Sequence, residues 1–206
     1  MYERVKRTID LAGATVLLLA GTPFLILAAV AVRVTMGPPV LYRQIRAGQR
    51  GKRFTLLKFR TMRPPGDGEP LIGSEAARLT RVGAWLRRTS IDELPQLWNV
   101  LRGEMSLVGP RPLLPQYLDR YSPEQGRRHE VLPGLTGVVQ VNGRNELPWN
   151  DRLALDVWYV DHRCTWLDLS ILARTALAIF SGRGARESHV ASPEFVGQSS
   201  LQSQHD

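Results

Sequence analysis

Hydrophobic and polar positions divide the chain into one long apolar run, a mixed central stretch and a polar end. From Leu11 to Val32 no charged side chain occurs for 22 residues, between Asp10 and Arg33. At about 1.5 Å per residue this predicts a helix close to the thickness of a bilayer's hydrocarbon core. Pro23, after Gly21 and Thr22, lies in its middle, where it removes one helical hydrogen bond, and a break is expected there. Divided at Thr22-Pro23, the halves have 12 and 9 residues, each about 14 to 18 Å long and one leaflet deep. Arg4, Lys6 and Arg7 precede the run, and Arg33, Arg43, Arg46, Arg50, Lys52 and Arg53 follow it. Positive flanks belong on the cytoplasmic side, and a straight span places only one of them there. The expectation is therefore a re-entrant helix-break-helix over residues 1–33, with the Thr22 hydroxyl near the backbone groups freed at the break. The alternatives are a kinked single span and a cleaved signal peptide, since Ala29-Val30-Ala31 resembles a cleavage site.

Further along, Val40-Leu41-Tyr42 and Phe54-Thr55-Leu56-Leu57 predict a basic β-hairpin around the turn Ala47-Gly48-Gln49-Arg50-Gly51. Proline and glycine make residues 63–70 a surface loop. Residues 75–88 have helical spacing, with Ala76, Leu79, Val82 and Leu86 on one side. The next helix starts in the capping box formed by Ser90 and Glu93 and ends at Gly103. Pro110-Arg111-Pro112 forces an extended loop. Val138-Val139-Gln140-Val141 reads as a short strand, and residues 149–163 and 166–180 as helices. The last of these suits a membrane interface or a core equally. From Ser181 onward Gly, Ser and Gln predominate, which predicts a disordered tail over 181–206. The expected architecture is α+β, with several short and amphipathic interfacial helices around one cytoplasmic domain, residues 34–180, carried by the re-entrant helix.

Composition narrows the classes. The 206 residues include 27 Lys and Arg against 19 Asp and Glu, a net charge of +8, so an anionic partner is expected. The 43% hydrophobic content excludes a disordered polycation, and the single Cys164 excludes a disulfide scaffold. A nucleic-acid binder would explain the charge but not the apolar run. P-loop, dinucleotide and zinc-hydrolase signatures are absent, and His129, His162, His189 and His205 have no ligand spacing.

The chemistry concentrates at Asp92-Glu93. This pair sits at an expected helix start, with Arg87 and Arg88 before it and Arg111 after it. Helix N-termini and arginines attract phosphate and keep a carboxylate ionised, able to attack phosphorus or to ligate Mg²⁺. Acidic residues in a first turn are also ordinary caps, so the pair alone does not decide. Lys58 and Arg60 add cations at the end of a strand, and Arg144 and Asn145 offer a cation and an amide after a glycine turn. Asp156 and Tyr159 read equally well as core and cap residues.

The run Lys58-Phe59-Arg60-Thr61-Met62 is followed by Ser90-Ile91-Asp92-Glu93-Leu94-Pro95-Gln96-Leu97-Trp98-Asn99-Val100-Leu101 and Ser106-Leu107-Val108-Gly109-Pro110-Arg111-Pro112. Pro133-Gly134-Leu135-Thr136-Gly137 and Val141-Asn142-Gly143-Arg144-Asn145 come next. Together, over about residues 1–180, these closely resemble the bacterial sugar transferases, monotopic polyprenyl-phosphate phosphoglycosyl transferases, in their small catalytic-domain form. The resemblance implies transfer of a phosphosugar from a UDP-sugar to polyprenyl (undecaprenyl) phosphate, releasing UMP, with Mg²⁺. It implies a covalent intermediate on Asp92, which would also bind the metal, with Glu93 as its dyad partner in proton removal or metal positioning. Arg111 and Arg87 would hold phosphate, and Lys58, Arg60, Arg144 and Asn145 would line the site. Thr22-Pro23 would be the helix break, commonly Ser-Pro in the family. Such a protein sits at the bacterial inner membrane with its domain on the cytoplasmic face. There it would initiate lipid-linked glycan or exopolysaccharide assembly, with membrane lipid, a second copy of itself or downstream glycosyl transferases as further partners. A non-catalytic membrane-surface adaptor is the other reading, though an adaptor has no reason to keep Asp92, Glu93 and Arg111 together.

Overall fold

A computed structural model describes residues 2–66, 75–143 and 147–181, together with Phe195. The apolar run forms one helix, α1 (Tyr2–Met36), with Pro23 inside it. Helical hydrogen bonding therefore resumes on both sides of the proline, where the sequence suggests two separate halves. The Thr22 hydroxyl donates to the Leu18 carbonyl at 2.8 Å, within the turn that the proline disturbs.

Helix α1 is bound to the rest of the protein along most of its length. Lys6 pairs with Asp168 at 2.9 Å, and the Arg7 guanidinium donates to the carbonyls of Val100 and Leu101 at 2.7 and 3.0 Å. Those carbonyls lie at the C-terminal end of a helix, where Val100 also accepts from the Gly103 N–H at 3.0 Å. Asp10 is buried and accepts from the Ser106 hydroxyl and the Leu107 N–H, both at 3.0 Å. Ala14 joins the main core with Leu97, Val100 and Leu107. Ala28 and Val32 join a second one with Phe59 and Leu86. A Cβ on Gly21 would stand 3.8 Å from Leu94, so the small side of the helix follows the domain surface closely. The opposite side is apolar and exposed, with Leu19 at 71% and Val34 at 77%.

The expected hairpin is present as β1 (Leu41–Ala47) and β2 (Arg53–Phe59), antiparallel, with Tyr42 opposite Lys58 and Arg46 opposite Phe54. The helix expected over 75–88 is two, α2 (Glu75–Arg78) and α3 (Arg81–Arg88), because Leu79 leaves the helical path to bridge Met62. Thr80 then caps α3 by accepting from the Gly83 N–H at 2.9 Å. No other residue fits at Gly83, where a Cβ would lie 1.8 Å from the Thr61 carbonyl oxygen.

The Ser90 capping box does not form. Ser90 has φ 57 and makes no side-chain cap, a 3₁₀ turn covers Ile91–Glu93, and α4 (Gln96–Leu101) begins only after Pro95. Glu93 is instead held by cations from elsewhere in the fold. Gly103, at φ 76, ends α4 as the sequence suggests. A parallel pair follows, β3 (Ser106–Val108) with β4 (Gly134–Thr136), and α5 (Pro123–Gly126) lies between them in the chain. The strand expected at 138–141 is the helical turn α6 (Val138–Val141), whose Val138, Val139 and Gln140 are all buried. Burial rather than intrinsic β preference decides that segment. The chain ends in α7 (Trp149–His162) and α8 (Thr165–Phe180). Helix α8 buries Ile171 while exposing Trp166 at 79% and Leu177 at 69%. The expected tail lies outside the described residues except Ser181, which caps α8, and Phe195, which is buried against Tyr117, Leu153 and Trp149.

Candidate active site

Asp92 and Glu93 lie on the short 3₁₀ turn between α3 and α4, which packs on the end of β2 that carries Lys58. The left-handed backbone at Ser90 turns the chain sharply out of α3 and so sets the direction in which both carboxylates point. Glu93 Oε1 accepts from Lys58 Nζ at 2.6 Å and from Arg111 Nη2 at 3.0 Å. Burial raises the Glu93 pKa, but Lys58 and Arg111 outweigh it and hold this carboxyl far below the usual range.

Asp92 is treated in the opposite way. It is 8% exposed and accepts no hydrogen bond among the described residues. Burial, reinforced by the negative charge of Glu93, pushes its carboxyl up to about 6, with Lys58, Arg87 and Arg111 pulling against them. Adjacent carboxylates with separated protonation behaviour mark a division of labour. Glu93 is fixed between two cations, whereas the Asp92 carboxyl is buried and left without a hydrogen-bond partner among the described residues.

The remaining sequence-selected residues divide clearly. Arg87 stands over Thr61, its Nε donating to Oγ1 at 3.1 Å, and its charge is felt at Asp92. Arg111 lies in the extended Pro110-Arg111-Pro112 segment. Its carbonyl accepts from Arg128 at 2.7 Å, and Arg128 is locked to Asp156 at 2.7 Å with both side chains buried. Asp156 thus has a place behind the site. Arg60 turns away from it and donates to the carbonyls of Met36, Gly37 (2.8 Å) and Pro38 (3.0 Å), closing the end of α1. Arg144 and Asn145 lie outside the described residues.

Two residues passed over by the sequence reading stand close to this cluster. Arg46 reaches the Pro112 carbonyl, one residue from Arg111. Gln96 is buried at the start of α4, four residues after Asp92, and its amide nitrogen has no partner among the described residues. Its nearness in sequence to Asp92 could have flagged Gln96, whereas nothing in the local sequence separates Arg46 from its basic neighbours. A cavity of about 530 Å³ beside Tyr121 and His129 lies at the turn end of the hairpin, and none of its lining residues belongs to the Asp92 cluster.

Comparison with known proteins agrees with this geometry in kind. The family described as Bacterial sugar transferase matches residues 1–182. The protein named "Uncharacterized sugar transferase EpsL" of Bacillus subtilis is 45% identical over 200 residues, covering 97% of this chain and 99% of that one. A "UDP-glucose:undecaprenyl-phosphate glucose-1-phosphate transferase" of Caulobacter vibrioides is 43% identical over 187 residues, covering 85% of this chain and 70% of its own length. An "Undecaprenyl-phosphate galactose phosphotransferase" of Salmonella typhimurium is 37% identical over 199 residues, covering 88% of this chain but only 41% of its own length. With the match running from α1 through α8 and enclosing every element that builds the Asp92 cluster, the chain belongs to the bacterial sugar transferase family.

Proposed function

We propose that this protein transfers a phosphosugar from a UDP-sugar to polyprenyl phosphate through a covalent intermediate on Asp92, initiating lipid-linked glycan or exopolysaccharide assembly. The observation that carries the reading is the buried, unbonded Asp92 carboxylate beside a Glu93 that is fully engaged by Lys58 and Arg111. An Asp92 oxygen attacks the β-phosphorus of the donor, forming an O–P bond as the bond to the UMP oxygen breaks, and UMP leaves with that electron pair. A phosphate oxygen of the polyprenyl acceptor then attacks the same phosphorus and expels the Asp92 carboxylate. Atoms balance to UMP and polyprenyl-diphosphate-sugar. Lys58, Arg87 and Arg111 counter the charge that builds on the phosphoryl oxygens. A carboxylate held as low as Glu93 is a weak base, so its task is to position Lys58 and Arg111 rather than to remove a proton.

The residues present fit Mg²⁺ as an ion shared with substrate. The described residues contain no group of three or more His, Cys, Asp or Glu that would cage a metal. One or two carboxylates plus phosphate oxygens is the ordinary Mg²⁺ arrangement, and Asp92 has open oxygens to contribute. Bound there, the ion would neutralise charge on the diphosphate.

The same proposal places the domain on the cytoplasmic face of the inner membrane, with α1 re-entrant. What supports it is that both ends of α1, through Lys6 and through Met36, meet the same domain while the outward side is apolar. Exposed Trp166 and Leu177 on α8 extend that apolar surface. The test is UMP release from a panel of UDP-sugars by detergent-solubilised protein with Mg²⁺, beside Asp92→Asn. UMP dependent on Asp92, formed with one turnover before acceptor is added, is the expected result. UDP as product, or wild-type turnover by Asp92→Asn, refutes the mechanism.

A further inference from the structure

The cluster holds one cation for which the reaction above names no task. In the antiparallel register, Tyr42, Gln44 and Arg46 on β1 share a face with Lys58, Leu56 and Phe54 on β2. Arg46 therefore projects from the same side of the hairpin as Lys58. Its Nε and Nη2 donate to Gln44 Oε1 at 3.1 and 2.6 Å, and its Nη1 donates to the Pro112 carbonyl at 3.3 Å. The neighbouring Ala47 N–H donates to the Leu113 carbonyl at 3.0 Å, so hairpin and Arg111 segment are fastened at two successive positions.

This arrangement brings the Arg111 charge to bear on Arg46. Arg111 has Glu93, which it shares with Lys58. Arg46 has only neutral acceptors among the described residues. Burial and the charge of Arg111 together lower the Arg46 pKa to about 10. Guanidinium forks match phosphate oxygens, and an anion received by both side chains would relieve their repulsion. Four cations (Lys58, Arg87, Arg111 and Arg46) face two carboxylates, Asp92 and Glu93. The surplus is what a site handling phosphate esters requires.

The geometry points to Arg46 and Arg111 as a joint oxyanion subsite that receives a phosphoryl group of one of the two substrates. This rests on the function proposed above, and it adds Arg46 as a binding residue held in place by Gln44. Gln44→Glu is the informative variant, because a carboxylate at that position keeps Arg46 where it is while cancelling its charge. A purely structural role for Arg46 would survive or gain from Gln44→Glu, whereas an anion subsite would lose.

The experiment follows thermal stabilisation of the full-length protein in detergent by inorganic phosphate and pyrophosphate, then KM for UDP-sugar and for polyprenyl phosphate separately. Wild type, Arg46→Gln, Arg46→Lys and Gln44→Glu are compared. Arg46→Gln and Gln44→Glu should each weaken the anion response and raise KM for one substrate about 10- to 100-fold, as expected for losing a hydrogen-bonded charge. Arg46→Lys should fall between them and wild type. A rise confined to UDP-sugar, with slowed single-turnover UMP release, assigns the donor phosphate, and a rise confined to the lipid assigns the acceptor. A normal anion response and unchanged KM values in Gln44→Glu overturn the proposal, even where Arg46→Gln fails to fold. Phosphate stabilisation that depends on Arg46 in a protein releasing no UMP would keep the subsite and reject the proposed reaction instead.

Discussion

Asp92 should make the protein less stable, and replacing it should show by how much. Its carboxyl is raised from the ordinary 3.8 to about 6, first by burial and then by Glu93. A carboxyl whose folded value exceeds its unfolded one binds its proton more tightly when folded. The associated stability is complete below about pH 4 and is lost as pH rises through about 6. At about 1.4 kcal/mol per tenfold change in proton affinity, ionising Asp92 costs the fold about 3 kcal/mol at pH 8. Asn, a neutral isostere, avoids that cost. Asp92→Asn should therefore raise the melting temperature at pH 8 by roughly 6 to 12 °C, for a chain of this length. Matched thermal melts in one detergent, at pH 8 and pH 4.5, decide it, because the two proteins should converge at the lower pH. An Asp92→Asn protein equal to or below wild type at pH 8, or a gap that does not depend on pH, would refute the placement of Asp92 as an unbonded buried carboxylate. Inactivity together with a gain in stability is the pattern expected where a site keeps a strained group for chemistry.

The same titration should appear in activity, with kcat/KM for UDP-sugar falling on the acid side of about pH 6 as Asp92 takes its proton, checked by a pH profile of UMP release. Asp156→Ala leaves the buried Arg128 charge without its carboxylate and should cost about 3 to 5 kcal/mol in chemical denaturation. Asp10→Ala leaves the buried Leu107 N–H without its acceptor, a loss of about 1 to 3 kcal/mol, and should speed hydrogen exchange at the Leu107 amide. In a Cys164→Ser background, Arg4→Cys and Arg43→Cys should both label from the cytoplasmic side, and labelling from opposite sides would exclude the re-entrant arrangement of α1.

The acidic pair, its flanking arginines and the hairpin were legible because each carries a local signal: alternation for β1 and β2, adjacent acids for Asp92-Glu93, and proline brackets around Arg111. What the sequence hides is set by distant parts of the chain. Ser90 and Glu93 have the spacing of a capping box, yet Lys58 and Arg111 compete for the Glu93 carboxylate more strongly than one backbone N–H can. Val138-Val139-Gln140-Val141 has strand composition, but the core accepts its valines from a helical turn. Arg60 looks like a site cation until the end of α1 arrives to claim it. The packed side of α1 was partly visible, since Ala14, Gly21 and Ala28 recur every seven residues. That repeat is easily overlooked inside a run whose hydrophobicity already suggests lipid on all sides.

The attachment of α1 along its length has a consequence for how such a protein is handled and how it evolves. Ala14, Ala28 and Val32 fill the two largest cores, Asp10 completes the bonding of β3, and Arg7 closes α4. Cutting away residues 2–36 to obtain a water-soluble enzyme would open both cores and take the Arg7 donors from the Val100 and Leu101 carbonyls at the end of α4. The membrane segment is thus no detachable leash, and solubility has to be sought by changing its outward residues, such as Leu19, Leu27 and Val34, while the inward ones are kept.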